Sequence, residues 1–121
     1  MKLFVYGSLM RNRWNHHYLE KCIYLGEGVL HDYALYHLIT YPAIQSLKGD
    51  QVKGEVYEID EAMLPALDEL EEEGVEYKRT RVQVMLEGKK INAYTYVYLL
   101  AVDDKKYLPF EKQPWSQVDN E

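Results

Sequence analysis

Two β-rich segments that meet at Glu87-Gly88 constrain the fold more than any other feature of the sequence. Residues 77–86 and 91–100 consist largely of aromatic, β-branched and aliphatic residues, with a short turn between them. This arrangement is typical of a β-hairpin. In the second segment a row of Asn and Tyr side chains alternates with a row of Ile, Ala, Thr and Val side chains. The two faces of that strand are therefore expected to differ in environment.

The rest of the chain predicts further strands around this hairpin. Residues 2–7 alternate and are expected to form a first strand that stops at Gly7-Ser8. Residues 23–46 contain short apolar runs interrupted by glycine, aspartate and proline, which predicts two or three strands. Residues 52–59 predict another strand, in which Gly54 indicates a bulge or a close approach of two backbones.

Two short helices are expected beside the strands. Asn15 is a suitable cap for a helix over residues 16–22, and Asp60 is a suitable cap for a helix over residues 61–72. Pro65 lacks a backbone N–H, which favours a late start or a bend in the second helix. Two helices on a largely β core define an α+β fold.

The chain is expected to form one domain with a polar tail. Its 121 residues correspond to a single domain, and no repeat or linker divides them. Residues 1–111 are expected to form that domain. Residues 112–121 are polar and are expected to be loose, unless Trp115 holds them against the domain.

Charge and composition argue against several classes of function. The formal net charge is −6, and the basic residues cluster only at Lys78-Arg79-Arg81, so nucleic acid is not an expected partner. No stretch approaches the roughly 18 apolar residues of a membrane-spanning helix, so no membrane association is expected. The first residues lead directly into a strand and do not resemble a signal peptide. Cys22 is the only cysteine, which fits a reducing compartment and a cytoplasmic location.

Within the acidic run of residues 68–73, Glu71 has a distinct position. At about 100° per residue, three apolar residues define the buried face of the predicted helix: Met63, Leu67 and Leu70. Glu71 lies at the edge of that face, and the other acidic residues lie on its flank or opposite to it. A carboxylate at an apolar boundary is costly unless it is paired or protonated, and such groups often have raised pKa values and chemical roles. Two interpretations remain open, an acid/base function and a structural ion pair with Arg79.

The turn Tyr6-Gly7-Ser8-Leu9 follows the first strand and is a second candidate. A tight turn after a strand can present several backbone N–H groups together, and such a nest binds carboxylates and oxyanions. A plain turn explains the same residues. Ser8 is not expected to be a nucleophile, because it lacks the Gly-x-Ser-x-Gly setting and an evident His and acid pair.

No metal site or cofactor is expected. His16 and His17 are adjacent, and neighbouring side chains on a helix point in different directions. Cys22 lacks an electropositive setting and is interpreted as a structural thiol. The 12 tyrosines are expected to cover a half-buried sheet face, and some of them could line a pocket.

Several segments, taken in order, resemble one known family. They are Phe4-Val5-Tyr6-Gly7-Ser8-Leu9, Asn15-His16 with Leu19, Leu25-Gly26-Glu27-Gly28, Tyr33-Ala34-Leu35-Tyr36, Tyr41-Pro42-Ala43-Ile44, residues 54–60, residues 67–71, and Tyr77-Lys78-Arg79. Together they span residues 3 to about 99 and resemble the γ-glutamylcyclotransferase-like family. The compact members closest to this pattern include γ-glutamylamine cyclotransferases.

The resemblance implies a small barrel-like, mixed and largely antiparallel sheet with a central cavity. It implies a substrate cradle and a catalytic carboxylate that face each other across this cavity. The cradle residues would be Tyr6, Gly7, Ser8 and Leu9, and the carboxylate would be Glu71. Tyr77 corresponds more loosely to a cavity residue.

The activity implied by the resemblance is release of 5-oxoproline and a free amine from a small γ-glutamyl compound, with no metal or cofactor. Glu72 and Glu73 depart from the family pattern, in which a small residue often follows the glutamate. Helical position and the spacing to Tyr77 favour Glu71 over both. Because a fold does not guarantee an activity, two alternatives remain, a noncatalytic binder of small carboxylates and a protein-interaction module that uses the tyrosine face.

Overall fold

Five β-strands close into a barrel, which is the central feature of the fold. A computed structural model describes residues 1–117 of the chain. The strands are β1 (Lys2–Val5), β2 (Ile23–His37), β3 (Pro42–Glu58), β4 (Tyr77–Leu86) and β5 (Lys89–Tyr98). They lie in the order β3-β1-β5-β4-β2, and pairing of β2 with β3 closes the ring. The β1–β5 pair is parallel and the other pairs of the ring are antiparallel. The predicted α+β fold with a mixed, largely antiparallel barrel is confirmed.

The hairpin predicted at Glu87-Gly88 joins β4 to β5. Both turn residues have positive φ, 50° at Glu87 and 81° at Gly88. A two-residue turn of this kind matches the twist of the flanking strands. The second strand begins two residues earlier than predicted, because the turn consists of only these two residues.

One α-helix, and not two, is present in residues 1–117. The helix α1 spans Leu64–Glu71, and a 3-10 turn over Glu61–Met63 precedes it. Pro65 lies in the first turn of α1, where the missing N–H costs nothing, so the late start of this helix is confirmed. The Asp60 side chain caps the 3-10 turn by accepting a hydrogen bond from the backbone N–H of Ala62.

The first predicted helix, over residues 16–22, is wrong. That segment forms a single 3-10 turn at His16–Leu19, and only Leu19 is buried there. The Asn15 side chain does not cap it and instead bonds to Ser8. Histidine and tyrosine are poor helix formers, and a segment this short does not supply enough hydrogen bonds to offset helix nucleation.

The strands predicted within residues 23–46 and 52–59 belong to two long strands, β2 and β3. Register shifts between Tyr24 and Gly26 and between His31 and Tyr33 let them bend around the barrel. At the second shift Asp32 adopts a φ of 66°, and its carboxylate accepts a hydrogen bond of 2.9 Å from the Gly49 N–H. The glycine and aspartate residues that interrupt the sequence pattern therefore bend β2 without ending it, whereas Pro42 begins β3.

The close backbone approach indicated by Gly54 is present. A Cβ atom at this position would lie 2.3 Å from the carbonyl oxygen of Val5. Gly54 therefore lets β3 pack tightly against the end of β1, directly before the turn that opens at Tyr6.

Part of the tail predicted to be loose packs against the barrel. Gln113 and Trp115 are buried, and Trp115 belongs to the hydrophobic core. A short strand, β6 (Tyr107–Leu108), pairs with β2 before this segment. Residues 118–121, which complete the predicted tail, lie outside the described residues.

Candidate active site

A cavity between the end of β1 and the end of α1 contains all six residues selected from the sequence. Its volume is about 160 Å³, smaller than the roughly 300–1,000 Å³ of pockets for drug-sized ligands. The selected residues that line it are Tyr6, Gly7, Ser8, Leu9, Glu71 and Tyr77. The cradle turn and the carboxylate are distant in sequence and share this one cavity.

Glu71 is the last residue of α1. The next residue, Glu72, has a φ of 51° and turns the chain away from the helix axis. Glu71 itself is half-buried at the cavity wall. Within residues 1–117 its carboxylate forms no hydrogen bond or ion pair. Arg79, the partner considered from the sequence, pairs with Asp68 instead.

The surroundings of Glu71 favour its protonated form. Burial raises the pKa of its carboxyl from the ordinary value of 4.5 to about 7, and the negative charge of Glu76 contributes to the shift. Near neutral pH this group is therefore present in both protonation states. A carboxyl in that condition can both accept and donate a proton.

The other two glutamates of the run are placed differently. Glu72 is exposed and contributes to the open side of the cavity. The Glu73 carboxylate accepts a hydrogen bond of 3.2 Å from the backbone N–H of Arg79. Glu73 is therefore tied to the start of β4 and does not line the cavity.

In the cradle turn, the carbonyl groups have hydrogen-bond partners within the protein, whereas two N–H groups do not within residues 1–117. The Gly7 carbonyl accepts a hydrogen bond from Met10 N–H at 3.1 Å, and the Ser8 carbonyl accepts one from Asn15 N–H at 2.8 Å. The Leu9 carbonyl lies 3.0 Å from Nδ1 of His16. In the part of the chain that the structure describes, the N–H groups of Ser8 and Leu9 have no hydrogen-bond acceptor. Such free donors in a tight turn are suited to an anion.

Gly7 is required by the close approach of Pro42, the first residue of β3. A Cβ at this position would lie 2.6 Å from Cγ of Pro42. The glycine lets the turn lie directly against the proline ring, and both residues line the cavity.

Asn15 is a site residue that the sequence analysis missed. It lines the cavity, and its side-chain amide donates a hydrogen bond of 2.9 Å to Oγ of Ser8. Its backbone N–H also bonds to Ser8, as described above. Asparagine at the start of a predicted helix indicates a helix cap, so the local pattern concealed this role. The signal available in the sequence was its proximity to the candidate turn.

The buried tyrosines form a neutral wall. The Tyr6 hydroxyl donates to the Tyr96 carbonyl at 2.6 Å, and the Tyr77 hydroxyl donates to the Pro42 carbonyl at 2.8 Å. Burial raises the pKa of both hydroxyl groups well above the ordinary value, so both stay protonated at neutral pH. Since each proton is committed to a carbonyl, these residues shape the cavity and do not exchange protons.

The candidate metal ligands do not come together. Within residues 1–117 no group of three His, Cys, Asp or Glu side chains could hold a metal ion. The Cys22 thiol donates to Sδ of Met63 at 3.3 Å, and burial raises its pKa. It is therefore less ionised than a free thiol, as expected for a structural cysteine. Also within the described residues, no helix is long and apolar enough to cross a membrane.

Comparison with known proteins identifies the family. Residues 3–117 match the family described as gamma-glutamyl cyclotransferase, AIG2-like. The chain belongs to this family. Its sequence is similar to the gamma-glutamylcyclotransferase family protein YtfP of Escherichia coli K12, with 38% identity over 119 residues that cover 98% of this chain and 99% of that protein. It is also similar to AIG2-like protein D of Arabidopsis thaliana, with 34% identity over 125 residues that cover 98% of this chain and 81% of that protein.

Two solved structures share the fold. An AIG2-like protein of Mus musculus superimposes with a TM-score of 0.76 at 28% identity, covering 92% of this chain and 85% of that one. An uncharacterized protein of Pyrococcus horikoshii, PH0828, superimposes with a TM-score of 0.73 at 28% identity, covering 90% of this chain and 86% of that one. The family resemblance noted in the sequence is therefore confirmed over nearly the whole chain.

Proposed function

We propose that this protein is a γ-glutamylcyclotransferase that converts a small γ-glutamyl compound to 5-oxoproline and a free amine, with Glu71 as general acid and base. The proposal rests on family membership and on one observation above all. A carboxyl whose pKa is raised to about 7 shares a small cavity with a turn that presents N–H groups, and neither the carboxyl nor these N–H groups has a partner in the described part of the chain.

The reaction is an intramolecular aminolysis. The α-nitrogen of the γ-glutamyl group attacks its own γ-carbonyl carbon, the new C–N bond closes a five-membered ring, and the C–N bond to the leaving amine breaks. The attacking nitrogen begins as an ammonium and ends as a lactam N–H, so it releases two protons. The leaving nitrogen takes up two protons and departs as an ammonium, so no proton is consumed overall.

Glu71 is the group in the cavity suited to move these protons. As a carboxylate it accepts a proton from the α-ammonium and thereby produces the nucleophile. As a carboxylic acid it then protonates the leaving nitrogen. A pKa near 7 makes both steps accessible at neutral pH, because neither protonation state is strongly disfavoured.

The cradle turn supplies the complementary electrostatics. The N–H groups of Ser8 and Leu9 are suited to hold the α-carboxylate of the substrate or the oxyanion that develops on its γ-carbonyl oxygen. A cavity of about 160 Å³ favours a folded γ-glutamyl group. Holding the substrate in that folded conformation lowers the barrier through proximity of the reacting atoms.

The leaving amine faces the open side of the cavity in this arrangement. Two lining residues are exposed, Tyr41 and Glu72, and they mark that side. The buried wall formed by Tyr6 and Tyr77 receives the γ-glutamyl group. The recognised part of the substrate is therefore the γ-glutamyl group, and the mouth of the cavity discriminates among amines.

The test is a panel of γ-glutamyl compounds monitored for 5-oxoproline and free amine. The panel contains an alkylamide, the isopeptide of a lysine side chain, an amino-acid conjugate and a dipeptide conjugate. Formation of both products from at least one of them is the expected result.

Two control compounds separate aminolysis from hydrolysis. An N-acetylated γ-glutamyl amide lacks the nucleophilic amine and is expected to be inert, whereas a hydrolase would still cleave it. An α-glutamyl isomer cannot close the five-membered ring on the scissile carbonyl and is also expected to release no amine. If no panel member reacts but 5-oxoproline stabilises the protein against heat, the noncatalytic binder replaces the enzyme.

A further inference from the structure

The substrate cradle has no secondary structure of its own and depends on the loop that follows it. The carbonyl groups of Ser8 and Leu9 are held by Asn15 and His16, as described above. Residues 12–14, the connection, join the cradle turn to Asn15 and His16. Any displacement of that connection therefore shifts the cradle itself.

The C-terminal segment, residues 113–117, holds this connection. The Trp115 carbonyl accepts a hydrogen bond of 2.9 Å from Nε of Arg13. The Gln117 side chain accepts one of 2.9 Å from the Trp14 N–H and donates one of 3.3 Å to the Asn12 carbonyl. Three consecutive residues of the connection are thus bonded to two residues of the C-terminal segment.

The C-terminal segment is itself fixed to the barrel. Trp115 is fully buried, and its indole N–H donates to Nδ1 of His37 at 2.7 Å. The Gln113 side chain accepts a hydrogen bond of 2.7 Å from the Lys53 N–H and donates to the carbonyl of Gln51. These anchors lie on β2 and β3, so the segment joins the barrel wall to the connection.

The same connection reaches the opposite wall of the cavity. The Trp14 ring meets the Tyr41 ring edge-on, with centroids 6.4 Å apart. Tyr41 lines the cavity next to Pro42, against which Gly7 packs. The position of Trp14 is therefore coupled to both the cradle and the cavity mouth.

We propose that residues 113–117 are a brace that positions the substrate cradle, with Trp115 and Gln117 as its positioning residues. The proposal rests on the proposed function for the identity of the substrate. The hydrogen bonds of the brace do not depend on that function. Loss of the brace bonds is expected to weaken substrate binding and to leave proton transfer by Glu71 intact.

The experiment uses the full chain with Gln117→Ala and Arg13→Met, each of which removes bonds between the brace and the connection. For a working substrate, KM is expected to rise roughly threefold to tenfold, about the value of one net hydrogen bond, while kcat and the acid limb of its pH profile stay unchanged. Gln117→Glu keeps the acceptor for the Trp14 N–H but loses the donor to the Asn12 carbonyl, so it is expected to restore only part of the affinity. Tyr107→Phe is the matched control, because it removes one hydrogen bond, to Asp50, away from the cradle.

A second readout does not depend on turnover: amide hydrogen exchange at Met10 and Asn15, whose N–H groups are bonded to the cradle carbonyls of Gly7 and Ser8. Faster exchange at these amides in Gln117→Ala and Arg13→Met, but not in Tyr107→Phe, is the expected result. Unchanged KM and unchanged exchange in both variants would overturn the brace. If the wild type converts no γ-glutamyl compound, the proposed function fails, and the exchange data still decide whether the brace positions the cradle.

Discussion

Arg79 pairs with Asp68, and Glu71, one turn further along the same helix, has no counter-ion within residues 1–117. Asp68 also accepts a hydrogen bond of 2.6 Å from the Tyr96 hydroxyl. The helix α1 has only one buried residue, Leu67, so these polar contacts to β4 and β5 have a large part in fixing its position. The ion pair therefore holds the helix that carries Glu71, and it also keeps the Arg79 guanidinium away from the Glu71 carboxylate.

The first prediction concerns this ion pair. Asp68→Asn removes the charge that binds Arg79, and it is expected to lower the free energy of unfolding by about 1–2 kcal/mol, because both side chains are only partly exposed. Urea denaturation measures this loss. Glu69→Gln, an exposed change on the same helix, is expected to stay within about 0.5 kcal/mol of wild type. Equal stability of the two variants would contradict the role given to Asp68.

The second prediction concerns the pH dependence of turnover. The charge of Glu76 contributes to the raised pKa of Glu71, so Glu76→Gln is expected to lower that pKa. Since Glu71 must be ionised to accept a proton, the acid limb of kcat/KM is expected near pH 7 in the wild type and at lower pH in the variant. Glu69→Gln provides the control, with an expected limb like that of wild type. An acid limb that moves to higher pH in Glu76→Gln would refute the electrostatic account.

The third prediction concerns stability as a function of pH. The folded-state pKa of Glu71 is about 7 and its ordinary value is 4.5, so the folded state retains a proton that the unfolded state has lost between these pH values. Stability is therefore lost as pH rises from 4.5 to 7, by at most about 3.4 kcal/mol at 1.36 kcal/mol per pKa unit.

Glu71→Gln has no such titration. The variant is expected to be roughly 1–3 kcal/mol more stable than wild type at pH 8, and the difference is expected to vanish near pH 4.5. Urea denaturation across this range measures both chains. A wild type that is more stable than the variant at pH 8 would show that a favourable partner holds the Glu71 carboxylate.

The fourth prediction tests the packing beneath the cradle. Gly7→Ala places a Cβ 2.6 Å from Cγ of Pro42, and this overpacking is expected to cost about 1–3 kcal/mol. Pro42→Ala removes the obstructing ring atoms, so the double variant is expected to recover part of the loss. A thermal unfolding double-mutant cycle measures this coupling. Strict additivity of the two changes would argue against the contact.

The sequence predicted where Glu71 lies on the helix, but it did not predict the environment of the carboxylate. Helical periodicity placed Glu71 at the edge of the apolar face, and the structure places it at the wall of a cavity. Periodicity could not decide between a free carboxylate and an ion pair with Arg79, because that choice depends on which acidic residue meets β4 in three dimensions. The convergence of the cradle turn with Glu71 was predictable only from the family resemblance, since no local pattern joins the two segments.

Other differences between the prediction and the structure depend largely on contacts between distant parts of the chain. The predicted helix over residues 16–22 failed because the Asn15 side chain bonds to Ser8 instead of capping a helix. Residues 23–46 contain two strands as predicted, but the second continues into the strand predicted over residues 52–59, because the shift at Asp32, which bonds to Gly49, lets the pairing continue. The sequence offers Trp115 as the residue that could hold the tail against the domain, but its contact with His37 is long-range and composition does not reveal it.

The most direct test of the central claim is the rate of 5-oxoproline release by Glu71→Gln on the best substrate of the γ-glutamyl panel. Glutamine keeps the shape of the side chain but cannot accept the ammonium proton, so the rate is expected to fall by about 10²–10⁴ or more, while 5-oxoproline still binds. In the wild type the Glu72 carboxylate lies at the cavity mouth, and the Glu73 carboxylate accepts a hydrogen bond from the Arg79 N–H. Glu72→Gln and Glu73→Gln are therefore expected to keep a rate near that of wild type. Full activity in Glu71→Gln together with loss of activity in Glu72→Gln or Glu73→Gln would contradict the assignment of Glu71.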